Sequence, residues 1–310
     1  MTLQHSTAPV LVTGASGYIA SWVIQKLLTQ GYTVHATVRD LNKSQSYTHL
    51  EQIADSSPGT LKLFEANLLK PGSFDAAMQG CEIVFHMASP FVVTNYKDAL
   101  KDIIEPAILG TQNVLNSVNK TESVQRVIVT SSIASTYGDA IDILQTEHTS
   151  FDESHWNTTS SETHQPYPYS KVMAERKAWE MAEAQDRWDL VCINPALVFG
   201  QSLTPNTQSG SVEVLQQFAN GMTLLGVPPM WNGVVDVQDV AEAHIRAAFN
   251  PQAHGRYIVS SETLSLLEMG KILRKAFGPK FPFPRNQLPK TAFKLFGPVA
   301  GFSRKFVELN

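Results

Sequence analysis

Two cysteines in 310 residues are too few for a disulfide framework. Cys192 lies inside the apolar run Leu190 to Ile193, where it reads as a small buried hydrophobe rather than a nucleophile. Long apolar runs are also missing: Met1 to Pro9 is polar and leads straight into Val10-Leu11-Val12, with no stretch suited to a signal peptide or a membrane span. Charge of one sign is not in excess. Lys and Arg total 24 against 28 Asp and Glu, and the net charge of −4 offers no basic field to a nucleic-acid backbone. There is no internal repeat, no low-complexity tract and no metal-ligand cluster. The expectation is a soluble, cytoplasmic protein, monomer or homodimer, with no membrane, nucleic-acid or metal partner.

What is present is an alternation. Short apolar runs at Val10 to Val12, Thr33 to Val38, Leu61 to Phe64, Ile83 to Met87, Arg126 to Thr130, Leu190 to Ile193 and Tyr257 to Val259 are separated by helical stretches. Runs apolar at every position suit strands covered on both faces, and the spacing suits crossover helices between parallel strands. The pattern predicts an α/β fold: a doubly wound parallel Rossmann sheet of about seven strands with a smaller, irregular C-terminal substrate lobe. The first helix carries Ile19, Trp22, Val23, Leu27 and Leu28 on one stripe and stops at Gly31, which suits a left-handed C-cap. Beyond Asn194 the composition turns to Pro, Gly, Ser, Thr and Asn over residues 200–233, which predicts irregular excursions outside the sheet. The proline-studded tail, residues 277–310, reads as short elements on the same lobe. The nucleotide-binding unit is thus expected over 1–194 and 233–260, and the substrate lobe over 195–232 and 261–310.

The first strand feeds Thr13-Gly14-Ala15-Ser16-Gly17, with Ala20 where a third small residue would sit. A glycine turn between strand and helix presents backbone N–H groups and the positive dipole end to an anion such as a pyrophosphate, although two glycines also serve a plain tight turn. At the end of the second strand, about twenty residues on, stand Arg39 and Asp40, where the ribose 2′ position is read. The Arg39 guanidinium can pair with a 2′-phosphate and stack on adenine, which favours NADP (NADPH) over NAD; the competing arrangement is an Arg39–Asp40 salt bridge. Lys43 offers a second positive charge. Asn67-Leu68, after the third strand, occupies the place of an adenine contact, and Asn can donate and accept. The fourth strand ends His86-Met87-Ala88-Ser89-Pro90, whose small residues let backbone approach the cofactor, while His86 reads as a satisfied core histidine.

The fifth strand runs into Thr130-Ser131-Ser132 at the carboxyl edge of the sheet, where ligands of open α/β folds bind. Farther on comes Tyr167-Pro168-Tyr169-Ser170-Lys171. A phenol four residues before an ammonium on a helix shares its face, and a neighbouring positive charge favours the phenolate. Ser132, Tyr167 and Lys171 are therefore the candidate catalytic set. Ser132 would hold a carbonyl oxygen, Tyr167 would donate a proton as hydride arrives, and Lys171 would bind the nicotinamide ribose. Ser131 has the alternative of capping the next turn. Pro168 belongs in the first helical turn, so Tyr167 should open the helix.

Taken together, Val12-Thr13-Gly14-Ala15-Ser16-Gly17-Tyr18-Ile19-Ala20, Ala36-Thr37-Val38-Arg39-Asp40, Val84-Phe85-His86-Met87-Ala88-Ser89-Pro90, Thr130-Ser131-Ser132 and Tyr167-x-x-x-Lys171 resemble the extended short-chain dehydrogenase/reductase family. The chain is most similar to its dihydroflavonol reductase, cinnamoyl-CoA reductase and aldehyde reductase branch, from about Val10 to about Phe277. The resemblance implies an NADP-dependent oxidoreductase with Ser132, rather than Ser131, as the catalytic serine. It implies a cofactor cradle of Gly14, Ser16, Gly17, Tyr18, Ile19, Arg39, Lys43, Asn67, Leu68, Met87, Ala88, Ser89, Thr130, Tyr167, Lys171, Pro195 and Val198, with Asn194-Pro195 beside the nicotinamide. Residues 236–241 would be the return from the substrate lobe. Two departures mark this chain. Tyr137 stands where plant dihydroflavonol reductases place an asparagine for the flavonoid ring, and His164-Gln165-Pro166-Tyr167-Pro168-Tyr169-Ser170-Lys171 replaces the Asn-Trp-Tyr-Cys-Tyr-Gly-Lys signature of cinnamoyl-CoA reductases.

The expected substrate pocket comprises Phe91, Ser132, Tyr137, Tyr169, Phe199, Pro228, Met230 and Trp231, a mostly apolar wall suited to a small hydrophobic ketone or aldehyde. Two rival functions stay open on residues alone: an NAD-dependent sugar-nucleotide epimerase or dehydratase using the same triad, and a noncatalytic NADP-binding regulator.

Overall fold

Seven parallel strands form the centre of the molecule in the order β3-β2-β1-β4-β5-β6-β9. They are β1 (Val10–Val12), β2 (Thr33–Val38), β3 (Thr60–Glu65), β4 (Ile83–His86), β5 (Arg126–Thr130), β6 (Asp189–Pro195) and β9 (Gly255–Val259). The structure is a computed structural model and describes residues 7–90, 96–147, 150–204, 209–297 and 303–310. Helices α1 (Tyr18–Thr29), α2 (Thr48–Asp55), α3 (Asp75–Met78), α4 (Glu105–Lys120), α5 (Pro166–Glu183) and α7 (Val237–Phe249) make the crossovers. A π-helical turn, Leu100–Ile104, runs into α4.

The continuously apolar strands divide their side chains by parity, as a pleated strand requires. Val10 and Val12 of β1, Ile128 of β5, and Val191 and Ile193 of β6 enter one layer, sealed by Val23, Ile24, Leu27 and Leu28 of α1 and Val240, Ala241 and Ile245 of α7. Leu11, Val127, Val129, Leu190 and Cys192 enter the other, sealed by Val114, Leu115 and Val118 of α4 and Ala178 of α5. Truncating one fully buried leucine here, such as Leu28, should cost about 2–5 kcal/mol because the cavity collapses only in part. Burial also drives the Cys192 thiol well above its ordinary pKa, so it stays a neutral packing group. Strand β3 alternates exposed and half-buried residues because it is an edge. Gly31, at φ +86°, follows α1 as expected.

The lobe is more regular than the sequence suggested. Strands β7 (Leu197–Phe199), β8 (Trp231–Asp236) and β10 (Glu262–Ser265) form a second sheet in the order β10-β8-β7. Phe218, Val227, Val234, Met269 and Phe283 pack together beneath it. Within residues 200–233 lies a helix, α6 (Gly210–Ala219), and α8 (Leu266–Phe277), α9 (Lys290–Phe296) and α10 (Arg304–Leu309) follow. Val214 and Phe218, one turn apart, carry α6 onto the lobe core; the surrounding Gly, Pro and Asn hide that short amphipathic pattern. The tail is not confined to the lobe. The Asn310 side chain donates to Asp139 Oδ1 at 2.8 Å and accepts from Ala140 N at 2.8 Å. Among the described residues no helix is long and apolar enough to cross a membrane.

Candidate active site

The strand order reverses between β1 and β4, and in open α/β sheets the crevice at such a switch point receives the ligand. Gly14 follows β1 and Ala88 follows β4. Gly14 adopts φ +67°, and a Cβ on it would lie 2.8 Å from Ala88 Cα, so only glycine lets these two backbones meet. Thr13 Oγ1 fixes the same junction by accepting from Met87 N and Ala88 N, both at 3.0 Å. With both lone pairs used, its proton points to His86 Nδ1 at 3.1 Å. His86 is held neutral, its pKa pulled down to about 4 by burial and then by the Lys171 ammonium. It is the core histidine expected.

Gly17 caps α1 without a side-chain hydrogen bond, and no acidic residue occupies the first turn. The N–H groups of Ser16, Tyr18 and Ile19 therefore have no backbone acceptor among the described residues, as expected at a helix N-terminus. The Tyr18 side chain is buried and donates to the Gly200 carbonyl at 2.8 Å, and burial with the nearby Asp236 charge raises its pKa to about 12. It acts as a strut between α1 and the start of the lobe. Arg39 is exposed at the end of β2. Asp40 pairs with Lys43 at 3.8 Å instead of with Arg39, which leaves the guanidinium available and Lys43 partly committed. Asn67 closes its own turn by accepting from Leu69 N at 2.9 Å, while the Leu68 side chain lies over Gly110 of α4, where an added Cβ would come within 3.3 Å of it.

The reacting end is built on α5. Gln165 precedes it at φ 56°, the one non-glycine residue with positive φ among those described. It is held there by its Nε2 donating to Gly138 O at 2.9 Å and to Asp139 Oδ1 at 2.6 Å; Asp139 also binds His164 Nε2 at 2.7 Å. The helix opens at Pro166, one residue before the expected Tyr167, because a proline without an N–H fits the first position. Tyr167 and Lys171 then share a face, with the Lys171 ammonium 5.5 Å from the Tyr167 ring centroid. Lys171 Nζ also donates to Ser89 Oγ at 2.9 Å, reaching from α5 to the end of β4. Thr130 Oγ1 is 2.8 Å from His244 Nε2, whose ring burial holds near pKa 4 and thus neutral.

Of the two serines, Ser132 caps the following turn, accepting from Ala134 N at 3.2 Å. Ser131 instead points inward and donates to the buried Glu175 carboxylate. That carboxylate, Arg256 and the Thr13 hydroxyl bind these segments together, and sequence reading gave none of the three a role. Glu175 had a signal in its place one turn past Lys171; Arg256, 81 residues away, had none.

The expected pocket residues divide. Tyr137 stacks on Phe151 at 4.6 Å and 8°, and its pKa is raised by burial, so it stands as a neutral aromatic wall beside the Ser132 turn. Tyr169 lies in the first turn of α5, Pro195 ends β6, and Val198 is buried in β7 next to the half-buried Phe199. Pro228, Met230 and Trp231 lead into β8 at the end away from Asp236, which lies five residues or roughly 16 Å along the strand from Trp231, and Trp231 is 58% exposed. Phe91 lies outside the described residues.

The chain belongs to the NAD dependent epimerase/dehydratase family, whose profile matches residues 10–259, in the branch that holds dihydroflavonol, cinnamoyl-CoA and aldehyde reductases, and it is an oxidoreductase. It is 40% identical to a cinnamoyl-CoA reductase of Medicago truncatula over 284 residues, 91% of this chain and 82% of that protein. A dihydroflavonol 4-reductase of Gerbera hybrida is 33% identical over 300 residues, covering 94% of this chain and 80% of its own length. Among solved structures, the yeast methylglyoxal/isovaleraldehyde reductase complexed with NADPH superposes with a TM-score of 0.76 at 26% identity, covering 97% of this chain and 96% of the other.

Proposed function

We propose that this chain uses NADPH to reduce a hydrophobic ketone or aldehyde to the alcohol, with Tyr167 as the proton donor. The observation that carries the reading is the Lys171 ammonium, set 5.5 Å from the Tyr167 ring and 2.9 Å from Ser89 Oγ at the carboxyl edge of the sheet, next to the Gly14–Ala88 junction. The donor set fits the cofactor. Glycine at position 14 lets the turn close on Ala88, where a Cβ would clash, the first turn of α1 offers uncapped N–H groups for the pyrophosphate, and Arg39 can meet the 2′-phosphate. NADPH supplies the hydride when bound.

The protein's own part is to hold the carbonyl and move a proton. Ser132 Oγ accepts from Ala134 N, which leaves its own hydrogen to donate to the carbonyl oxygen. Tyr167 gives its proton to the oxygen as negative charge develops there. Lys171 supplies the positive charge beside the phenol and hydrogen bonds for ribose hydroxyls, in place of its contact with Ser89. The Tyr137–Phe151 stack gives the adjoining wall an apolar, aromatic surface, which suits an aryl or alkyl carbonyl better than a sugar diphosphate that would need arginines.

The test is NADPH absorbance with a panel of aryl ketones, α-keto esters and aldehydes. Stoichiometric consumption of NADPH with alcohol formation is expected. Tightly retained cofactor with no net consumption, and turnover of a nucleotide sugar, would replace this reading with the epimerase one.

A further inference from the structure

Glu175 lies one helical turn past Lys171 on α5, and its side chain is 0% exposed. Around it the fold has assembled donors from three other segments of the chain. Ser131 Oγ donates to Oε2, as do Ser135 Oγ at 2.6 Å and Asn194 Nδ2 at 2.9 Å. Arg256 Nε donates to Oε1 at 2.6 Å from edge strand β9. The guanidinium is fixed in turn by the carbonyls of Glu153 at 2.9 Å and His155 at 2.5 Å, and it lies 4.0 Å over the Trp156 ring.

A buried ion pair of this kind is a weak source of stability. The desolvation of both ions offsets most of their attraction, and well-packed apolar residues of the same volume often stabilise as much or more. Its expense is better explained by what it holds in place, and that is the reacting end. Ser131 is the neighbour of Ser132. Ser135 closes the turn that Ser132 caps, and Asn194 Nδ2 also donates to the Ser132 carbonyl at 3.2 Å. Glu175 and Lys171 line the same small cavity under the carboxyl edge, together with Thr130 and His86.

We propose that Glu175, with Arg256 as its counter-ion, is a positioning residue: its buried carboxylate locks the Ser132 turn onto the helix that carries Tyr167 and Lys171, so that the serine hydroxyl and the phenol meet one carbonyl oxygen. This rests on the reductase reading above. Misplacement of reacting groups by about 1 Å costs on the order of 10²-fold in rate, so a change at Glu175 acts on kcat without touching substrate or cofactor.

The test compares Glu175→Gln, the double variant Glu175→Gln with Arg256→Gln, and Ser131→Ala, each measured for kcat, KM, NADPH dissociation constant and melting temperature. Glu175→Gln leaves the Arg256 cation buried and unpaired, so it should lower both the melting temperature and kcat. The double variant removes both charges and should recover melting temperature while kcat stays down by about 10- to 100-fold, with KM and NADPH binding unchanged. Recovery of kcat along with melting temperature would mean the pair is only structural and would overturn the proposal. Ser131→Ala keeps the ion pair and should fold as the parent does, yet lose about tenfold in kcat; parental kcat there would also overturn it, even if the Glu175 variants failed to fold. The unmodified protein in the same assay separates the two readings. Without turnover in it, the reductase assignment falls and the positioning role with it; with turnover in it and in all three variants alike, only the positioning role falls.

Discussion

Lys171 Nζ donates to Ser89 Oγ at 2.9 Å, joining the second turn of α5 to the segment after β4 across 82 residues of sequence. Its partners among the described residues are thus a hydroxyl and the face of Tyr167, not a carboxylate. An ammonium tied to a carboxylate would have much of its field cancelled at the phenol. One held by a hydroxyl keeps that field and can exchange its partner for the hydroxyls of a ribose.

Arg39→Ala should weaken NADPH by about 10- to 100-fold, the worth of one or two charge-assisted hydrogen bonds to phosphate, and leave NADH nearly unchanged. The pairing of Asp40 with Lys43 is what leaves Arg39 free for this contact. Fluorescence titration with both cofactors checks it; equal losses would argue against recognition of a 2′-phosphate.

Thr13→Val keeps the shape of the residue but strips Met87 N and Ala88 N of their acceptor. Leaving such groups unpaired costs about 1–3 kcal/mol. Urea unfolding should show that loss, and NADPH binding should weaken because the Gly14–Ala88 junction relaxes. A variant as stable as the parent would place the junction's strength elsewhere.

The seven parallel strands were legible as short, largely apolar runs, most nearly continuous where both faces are buried, and each expected run lies within, or one residue beyond, an observed strand. The second sheet was not. Strand β7 follows β6 after a single residue and merges with its apolar run, β8 starts at the exposed Trp231, and β10 reads Glu-Thr-Leu-Ser with its first two residues exposed. At the site, Tyr167, Lys171 and the glycine turn announce themselves by local spacing. The choice between an Arg39–Asp40 and an Asp40–Lys43 pair, and the meeting of Glu175 with Arg256, depend on side-chain direction and on strand order, which no local pattern encodes.

Stability should fall on mild acidification. Burial lowers the pKa of both His86 and His244 to about 4 in the folded chain, against about 6.5 when unfolded. Between those values the unfolded chain binds protons that the folded one refuses, so the stability present above pH ~6.5 is lost as pH falls toward 4, by up to ~1.4 kcal/mol per unit for each histidine. Asp152, held near 2 by hydrogen bonds from Ser154, is a carboxylate with the same sign of dependence, but its contribution is present above its unfolded pKa of 3.8 and is lost only as pH falls below that, so it adds nothing to the slope inside this window. Urea midpoints at pH 7.5, 6.0 and 5.0 should decline in that order; a flat series would mean that these rings are protonated in the fold.

The role of the Tyr167 hydroxyl is tested most directly by Tyr167→Phe, assayed for NADPH binding by fluorescence and for turnover by NADPH absorbance with the best carbonyl of the panel. Binding should stay close to that of the parent, while turnover falls by about 10²- to 10⁴-fold, the range contributed by a positioned general acid. Full turnover in the phenylalanine variant would contradict a proton donated from Tyr167.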